Sequence, residues 1–492
     1  MIKSLALLLV LAIATPFCLA QSAQARLNTI TGGITTGFDY NETRYDEKSD
    51  AATLSTEDSY LKKLSIGPLF TLESSSSIDK LTIKYNPNYA YDYENSNSDI
   101  DHNFSLNAYR DFSKTLRLNV TDNFIYSDDP NLIDTEDTSN YNKGRRRYWT
   151  NTFNTNFGYT YNTGSSFGAG YSYDILRNDD TGPGGYEDYD KHIADIYLQH
   201  RINASWNIEA TTSYTRGLFD PPDQEITDTI ADGLESISPG ITDGTDTQDL
   251  SNDLSEYRAS ATLNWILSQR KTFLVTYDFS GTAYDAILRN DTNLHNLTFG
   301  AQYQYNNRLS FGFGGGPSYE KTKTFDSNID YNANLNLNYD ISKRSSFSAS
   351  AEKGYDQENF SSNNNALGRD QGLTDFWQVN LDFSHQLLKD LDANLFVSYR
   401  DEKQENILHG IETSIENGTD LQTTDQETFR EESVFNKTIY TAGGSLNYSF
   451  LQWWTTAVRY TYRKQESERI NDSYDEHRLY LTLTVQKELL RW

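Results

Sequence analysis

Apolar and polar positions alternate in this chain with a period of two, over and over. Leu81, Ile83, Tyr85, Pro87, Tyr89, Tyr91 and Tyr93 share one parity, and Thr82, Lys84, Asn86, Asn88, Ala90 and Asp92 fill the other. Successive side chains of a strand point to opposite faces, so this stretch predicts a strand with one apolar and one polar face. It runs for about a dozen residues, longer than a usual soluble strand and suited to a tilted strand crossing a bilayer. Pro87 cannot donate to a ladder and predicts a local bulge.

The pattern recurs along the chain. Leu116, Leu118, Val120, Phe124 and Tyr126 form one set; Trp149, Phe153, Phe157, Tyr159 and Tyr161 form another. Tyr257 to Trp265, Phe273 to Phe279, Leu297 to Tyr305, Tyr331 to Tyr339, Trp377 to Phe383, Leu391 to Tyr399 and Leu479 to Val485 repeat it. Together these runs predict an all-β fold, a transmembrane antiparallel β-barrel of about 20 strands, with 18 the alternative at the accuracy of strand boundaries. Short links at 162–164, 268–271, 306–308, 341–344 and 387–390 alternate with long ones at 127–147, 177–191, 217–253, 356–375 and 400–436. In outer-membrane barrels the short turns are periplasmic and the long loops extracellular. Both chain ends then lie in the periplasm, which requires an even strand number.

Aromatic placement fits the same frame. Tyr91, Tyr93, Tyr126, Tyr277, Tyr460 and Tyr462 come late on strands running outward. Tyr159, Tyr161, Tyr303, Tyr305, Tyr339 and Tyr448 come just before short turns. Two clusters per strand pair predict an aromatic girdle at each membrane interface. Trp492 ends the chain after a strand-phased run, as in the assembly signal read by the barrel assembly machinery, although Lys487 to Arg491 interrupts the alternation.

Composition changes the picture in two ways. Only 36% of residues are hydrophobic and the mean hydropathy is −0.70. A polar lumen and polar loops account for this, since only alternate strand residues need be apolar. With 35 Tyr, 24 Phe and 7 Trp but only 9 Pro, the chain is no disordered polyelectrolyte. The net charge of −28 argues against nucleic acid as a partner.

The N-terminus reads as a secretory signal over residues 1–25. Lys3 precedes an apolar run from Leu5 to Ile13, Pro16 breaks it, and small residues offer cleavage after Ala20 or Ala25. Residues 26–492 are then the barrel with its extracellular loops. No plug-sized segment separates the signal from a first strand near Ile30 to Tyr40. The lone Cys18 falls within the signal, which removes disulfides, thiolate metal sites and cysteine nucleophiles from residues 26–492.

The polar parity of each strand should face the lumen. That places Lys84, Arg117, Asp195, Arg201, Glu209, Arg258, Asp278, Asp382, Arg459 and Arg478 inside, with an amide ladder at Asn332, Asn334, Asn336 and Asn338. Mixed charge with amides and hydroxyls suits aqueous passage of polar solutes. The ladder reads either as a sugar-binding wall or as a plain hydrated one. Lys143, Arg145, Arg146 and Arg147 form the densest basic cluster, at the end of a long loop. It either folds inward as an anion-attracting constriction or pairs with loop acids or lipopolysaccharide phosphates. The acidic pairs Asp128-Asp129, Asp179-Asp180 and Glu187-Asp188 lack calcium-loop spacing. Seven scattered histidines form no metal-ligand pair and no nucleophile motif, so no catalytic centre, metal or cofactor is expected.

The segment Ile30-Thr31-Gly32-Gly33-Ile34-Thr35-Thr36-Gly37-Phe38-Asp39-Tyr40-Asn41 resembles the first strand of the outer-membrane β-barrel porin type 2 family. The Tyr-rich run Lys84-Tyr85-Asn86-Pro87-Asn88-Tyr89 is similar to its hairpins. The resemblance covers most of the chain after the signal, through loose motifs, and carries no catalytic residues. It implies a barrel accompanying exopolysaccharide export, with a periplasmic polysaccharide export protein as partner beside outer-membrane lipid and lipopolysaccharide. The leading expectation is therefore an outer-membrane channel serving export of an extracellular polysaccharide. A general diffusion porin for small polar solutes and a structural sheath around a periplasmic electron-transfer partner are the alternatives.

Overall fold

The computed structural model describes residues 26–45, 59–128, 147–179, 188–220, 253–285, 291–322, 327–357, 373–412, 427–468 and 473–492. The expected signal segment 1–25 and the residues Lys143, Arg145 and Arg146 lie outside them. Twenty strands follow in chain order: β1 Leu27–Tyr45, β2 Ser59–Ser75, β3 Asp79–Asp92, β4 Asn97–Asp111, β5 Leu116–Ser127, β6 Tyr148–Asn162, β7 Ser165–Asn178, β8 Tyr189–Arg201, β9 Trp206–Phe219 and β10 Leu254–Ser268. They continue as β11 Lys271–Tyr284, β12 Thr292–Gln304, β13 Leu309–Thr322, β14 Asn328–Ser342, β15 Ser345–Gln357, β16 Leu373–Leu388, β17 Leu391–Glu412, β18 Glu427–Leu451, β19 Trp454–Ser467 and β20 Tyr474–Arg491. Each pairs antiparallel with its chain neighbours, and β20 pairs with β1, closing the sheet. The strand number is twenty rather than eighteen. Among the described residues there is no helix and no plug. Closure satisfies every strand edge, as a membrane span without helices must.

Register defines the two faces, because cross-strand partners share one. Phe70 lies opposite Tyr85, Tyr85 opposite Phe104, and Phe104 opposite Phe124. Farther round, Leu263 sits between Ile208 and Val275, Leu381 between Ala349 and Val397, and Leu481 between Val458 and Phe38. Ile34, Ile66, Phe70, Phe299 and Leu395 are at least half exposed, from 50% to 59%. A continuous exposed band of Ile, Leu and Phe is stable only against hydrocarbon, so this parity is the outer face. The other parity lines the lumen.

The turns at one end are short: 76–78, 112–115, 163–164, 202–205, 269–270, 305–308, 343–344, 389–390 and 452–453. Five of these hairpins carry a one-residue register slip just before the turn, after Thr160, Ile266, Asp340, Gln386 and Ser449. Such bulges add the local twist that a barrel rim requires. A sixth bulge lies in the closing pair, between Ile30 and Thr31, opposite Glu488 and Leu490. It resets the parity that Lys487 to Arg491 break in the sequence. Trp492 then continues the pairing, exchanging backbone hydrogen bonds with Asn28 at 2.8 and 3.0 Å.

Two expectations need correction. Pro87 makes no bulge: it stays in register opposite His102, and on its other side the β2–β3 ladder is interrupted over one stretch while the register is kept. There Pro87 faces Pro68, so two residues without N–H groups share one gap. Gly67 permits the close approach, since a Cβ on it would lie 2.2 Å from the Pro87 carbonyl oxygen. The dipeptide Gly316-Pro317 repeats the device against Leu297. The second correction concerns the loop expected at 400–436. β17 runs to Glu412 and β18 starts at Glu427, paired throughout. At 22 and 25 residues these strands are far longer than a bilayer crossing needs, and their upper part mixes polar and apolar residues at both parities, as at Ile407-Leu408 and Val434-Phe435, so no alternation marks it.

Candidate functional site

The lumen wall is where function can reside, and the pleat places its residues. Lys84, Arg117, Asp195, Arg201, Glu209, Arg258, Asp278, Asp382, Arg459 and Arg478 all fall on the inward parity by register. So do Asn332, Asn334, Asn336 and Asn338. They do not converge on one centre but divide into two kinds of wall.

The first wall is ionic. The Arg478 guanidinium holds the Asp39 carboxylate with two hydrogen bonds of 2.9 and 2.7 Å, joining the last strand to the first. Arg400 lies between Asp356 at 2.8 Å and Glu402 at 2.5 Å, and Lys437 reaches Glu402 at 2.7 Å. Lys63 pairs with Asp128 at 2.7 Å. Arg258 pairs with Glu256, and Arg117 with Asp111 at 2.6 Å. Arg201 donates to the carbonyl of Asn203 at 3.2 Å, and Glu209 stands 3.5 Å from the Asn207 amide. Lys84, Asp195, Asp278, Asp382 and Arg459 make no ion pair among the described residues, so their charges face the water of the lumen.

The second kind of wall is clearest on β12 to β14, where the middle inward positions are amides, hydroxyls and glycines: Asn296 to Gln302, Gly312 to Gly316 and Asn332 to Asn338. The Thr298 hydroxyl donates to Asn332 Oδ1 at 2.7 Å, and Asn332 Nδ2 donates to Ser318 at 3.3 Å. Gln378 donates to Asn380 at 3.1 Å, and Asn380 to Ser350 at 3.4 Å. Gly312 and Gly314 lie beside the Asn336 and Asn334 amides, which would stand within 2.9 to 3.3 Å of any added Cβ. The amides therefore lie across a floor of bare backbone. At the periplasmic foot of this wall is a cavity of about 760 Å³, lined by Arg308, Asp340, Lys343, Arg344, Asp392 and Asn394 among others.

An apolar patch interrupts the lumen near the long-loop end. Tyr148, Leu176, Tyr189, Phe219 and Leu254 are buried there, with Ile125 and Tyr284 packed against them. All seven stand on the inward parity. Of the expected basic cluster, Arg147 is described. Its guanidinium contacts Asp99 at 3.0 Å and lies 4.8 Å from the centre of the Tyr126 ring. At the same rim, Asp188 accepts from the Asn178 backbone N–H at 2.7 Å and from its amide at 3.0 Å. Burial pushes this carboxyl above the ordinary carboxylate range.

On the outer face, Tyr91, Tyr126, Tyr277, Tyr460 and Tyr462 stand toward the long-loop end, and Tyr93 follows β3. Tyr159, Tyr161, Tyr303, Tyr305, Tyr339 and Tyr448 stand toward the short turns. Trp492 is 59% exposed.

The histidines looked scattered in the sequence, yet the six with described side chains share one setting. All stand on the outer parity, and each ring Nδ1 lies 2.8 to 3.0 Å from a hydroxyl of another strand, the adjacent one in every case but His200, whose partner is two strands away. Five of these hydroxyls are tyrosines: Tyr85 with His102, Tyr161 with His200, Tyr171 with His192, Tyr277 with His295 and Tyr460 with His477. Ser345 serves His385. For three pairs a signal did exist in the sequence: Tyr171-x-Tyr173, Tyr277-x-Phe279 or Tyr460-x-Tyr462 on one strand, then His at lipid-facing parity on the next. It becomes visible only once strand register is known. Among the described residues no cluster of histidine and acids could hold a metal ion.

No protein-family profile and no curated protein sequence matches the chain. Among solved structures it is similar to the FrpB iron transporter from Neisseria meningitidis, with a TM-score of 0.50 and 10% identity over 93% of this chain and 82% of that one. It is also similar to the siderophore receptor PirA from Pseudomonas aeruginosa, at 0.48 and 10%, over 93% and 80%. The BenF-like porin from Pseudomonas fluorescens Pf-5 scores 0.41 at 9% identity, over 94% and 99%. With its closed twenty-strand sheet and lipid-facing belt, this chain is a β-barrel of the Gram-negative outer membrane.

Proposed function

We propose that the barrel is a channel through which small polar solutes diffuse across the outer membrane, without catalysis. The observation that carries this reading is the lumen wall. Its side chains are charged, amide or hydroxyl over most of its area, and Lys84, Asp195, Asp278, Asp382 and Arg459 direct unpaired charges of both signs into the lumen. Such a wall keeps water, and water-filled passage is what it supports. Liposome swelling tests it: vesicles containing the purified protein should swell in isotonic arabinose or glycine, and swell more slowly as solute size rises. Vesicles that stay as tight as protein-free ones would refute the proposal.

Export of an extracellular polysaccharide is a second reading, favoured by the Asn332–Asn338 ladder over glycine. Many weak contacts to hydroxyls suit a sliding polymer, whereas the charges dispersed elsewhere around the lumen serve any polar solute. A deletion strain separates the two. Undiminished surface polysaccharide rules out the export role and leaves the diffusion channel in place.

A further inference from the structure

We infer that the outer face carries a ring of phosphate-binding sites for a phosphorylated glycolipid of the outer leaflet, each built on a Tyr–His pair. Four pairs lie toward the long-loop, extracellular end: Tyr85–His102, Tyr171–His192, Tyr277–His295 and Tyr460–His477. They fall on the hairpins β3–β4, β7–β8, β11–β12 and β19–β20, so they are spread around the barrel.

Each imidazole is fixed twice. Its Nδ1 is held by the tyrosine hydroxyl, and its ring packs against aromatic neighbours. His192 stacks on Tyr173 with ring centres 4.8 Å apart, His477 lies 4.9 Å from Tyr462, and His295 lies 5.0 Å from Phe279. His102 lies between Tyr85 and Tyr126, 6.2 Å from each. With Nδ1 engaged, Nε2 is the edge left over, and it has no hydrogen-bond partner among the described residues.

The level is the membrane interface. On the membrane side of the histidines the next outward positions are Phe104, Ala194, Leu297 and Leu479. On the other side, three of the four next positions are Asp190, Asn293 and Asp475. A phosphate headgroup sits at this boundary.

A cation attends each pair. Arg147 lies over the Tyr126 ring beside His102. Arg216 is the cross-strand partner of His192, Lys321 stands opposite Asn293, and Lys464 opposite Asp475. Arg147, Arg216 and Lys464 also touch the carboxylates of Asp99, Asp285 and Glu466. Lys321 makes no ion pair among the described residues. A fixed imidazole edge beside an ammonium or guanidinium supplies charge-assisted hydrogen bonds suited to a phosphate oxygen. His200 and His385, on the short-turn side, provide an internal comparison.

Native mass spectrometry of the detergent-purified barrel tests this with three lipids: lipid A carrying both phosphates, the same lipid dephosphorylated, and phosphatidylglycerol. The wild type should retain the phosphorylated lipid A, up to one molecule per Tyr–His pair, in preference to the other two. The quadruple variant H102F/H192F/H295F/H477F keeps the rings and removes the Nε2 edge, and should bind about tenfold more weakly. The variant H200F/H385F should bind as the wild type does. Should the quadruple variant fail to assemble, H102F/H295F and H192F/H477F are each expected to halve the retained lipid. Equal retention by wild type and folded variants, or equal retention of the dephosphorylated lipid or of phosphatidylglycerol, overturns the inference.

Discussion

Gly316 and Gly354 show how unequal two glycines of one barrel can be. A Cβ on Gly316 would meet the Leu297 carbonyl oxygen at 1.9 Å, whereas one on Gly354 has nothing nearer than 3.6 Å. Gly316→Ala should therefore destabilise the barrel by about 1–3 kcal/mol, and Gly354→Ala by less than about 0.5 kcal/mol, in urea unfolding in micelles. Equal effects would show that the strands there are not held so close. Asp188 yields a prediction in pH. Its carboxyl titrates higher in the folded protein than in the unfolded chain, so its contribution is full below the unfolded value of about 4 and is lost as pH rises through the folded one. Amide exchange at the β7–β8 rim, corrected for intrinsic rates, should rise over that window, and Asp188→Asn should abolish the rise. The inward parity of Lys84 or Asn336 was legible from alternation alone. The Tyr–His pairs were not, because Tyr277 and His295 meet only through a register that the sequence does not print.

At the scale of elements, β1 and β20 matter most, because their pairing turns a sheet into a barrel. The pair is long, from Tyr45–Tyr474 to Thr29–Arg491, and Asp39–Arg478 clasps it on the lumen side. Both side chains are largely buried, so a double-mutant cycle of Asp39→Ala and Arg478→Ala should return a coupling of about 1–2 kcal/mol, in the range of charged hydrogen bonds. A coupling of zero would mean that water already separates the two. Strand number followed from period-two runs such as Leu391 to Tyr399, since lipid enforces the alternation. It failed for 400–436, where apolar residues fall at both parities, as at Ile407-Leu408 and Val434-Phe435, and leave no period of two to read. Pro87 misled for a different reason: its missing donor is accommodated by a second proline across the gap, a partner remote in sequence.

At the scale of the whole molecule, the two walls of the lumen set what can pass. Lys84 and Arg459 are unpaired cations facing water, and reversing both to glutamate should make the channel more cation-selective, read as a shifted reversal potential across a salt gradient. An unshifted potential would place both outside the conducting path. The barrel itself was legible because membrane and lumen impose opposite chemistry on alternate residues. Its cargo was not, because solute selectivity depends on loops and on charges set across the lumen from one another, which alternation does not encode. The most direct test is single-channel recording of the purified protein in a planar bilayer. A water-filled lumen gives a steady conductance that grows with salt concentration and falls when polyethylene glycol small enough to enter it is added. A correctly folded barrel that inserts and passes no current would contradict it.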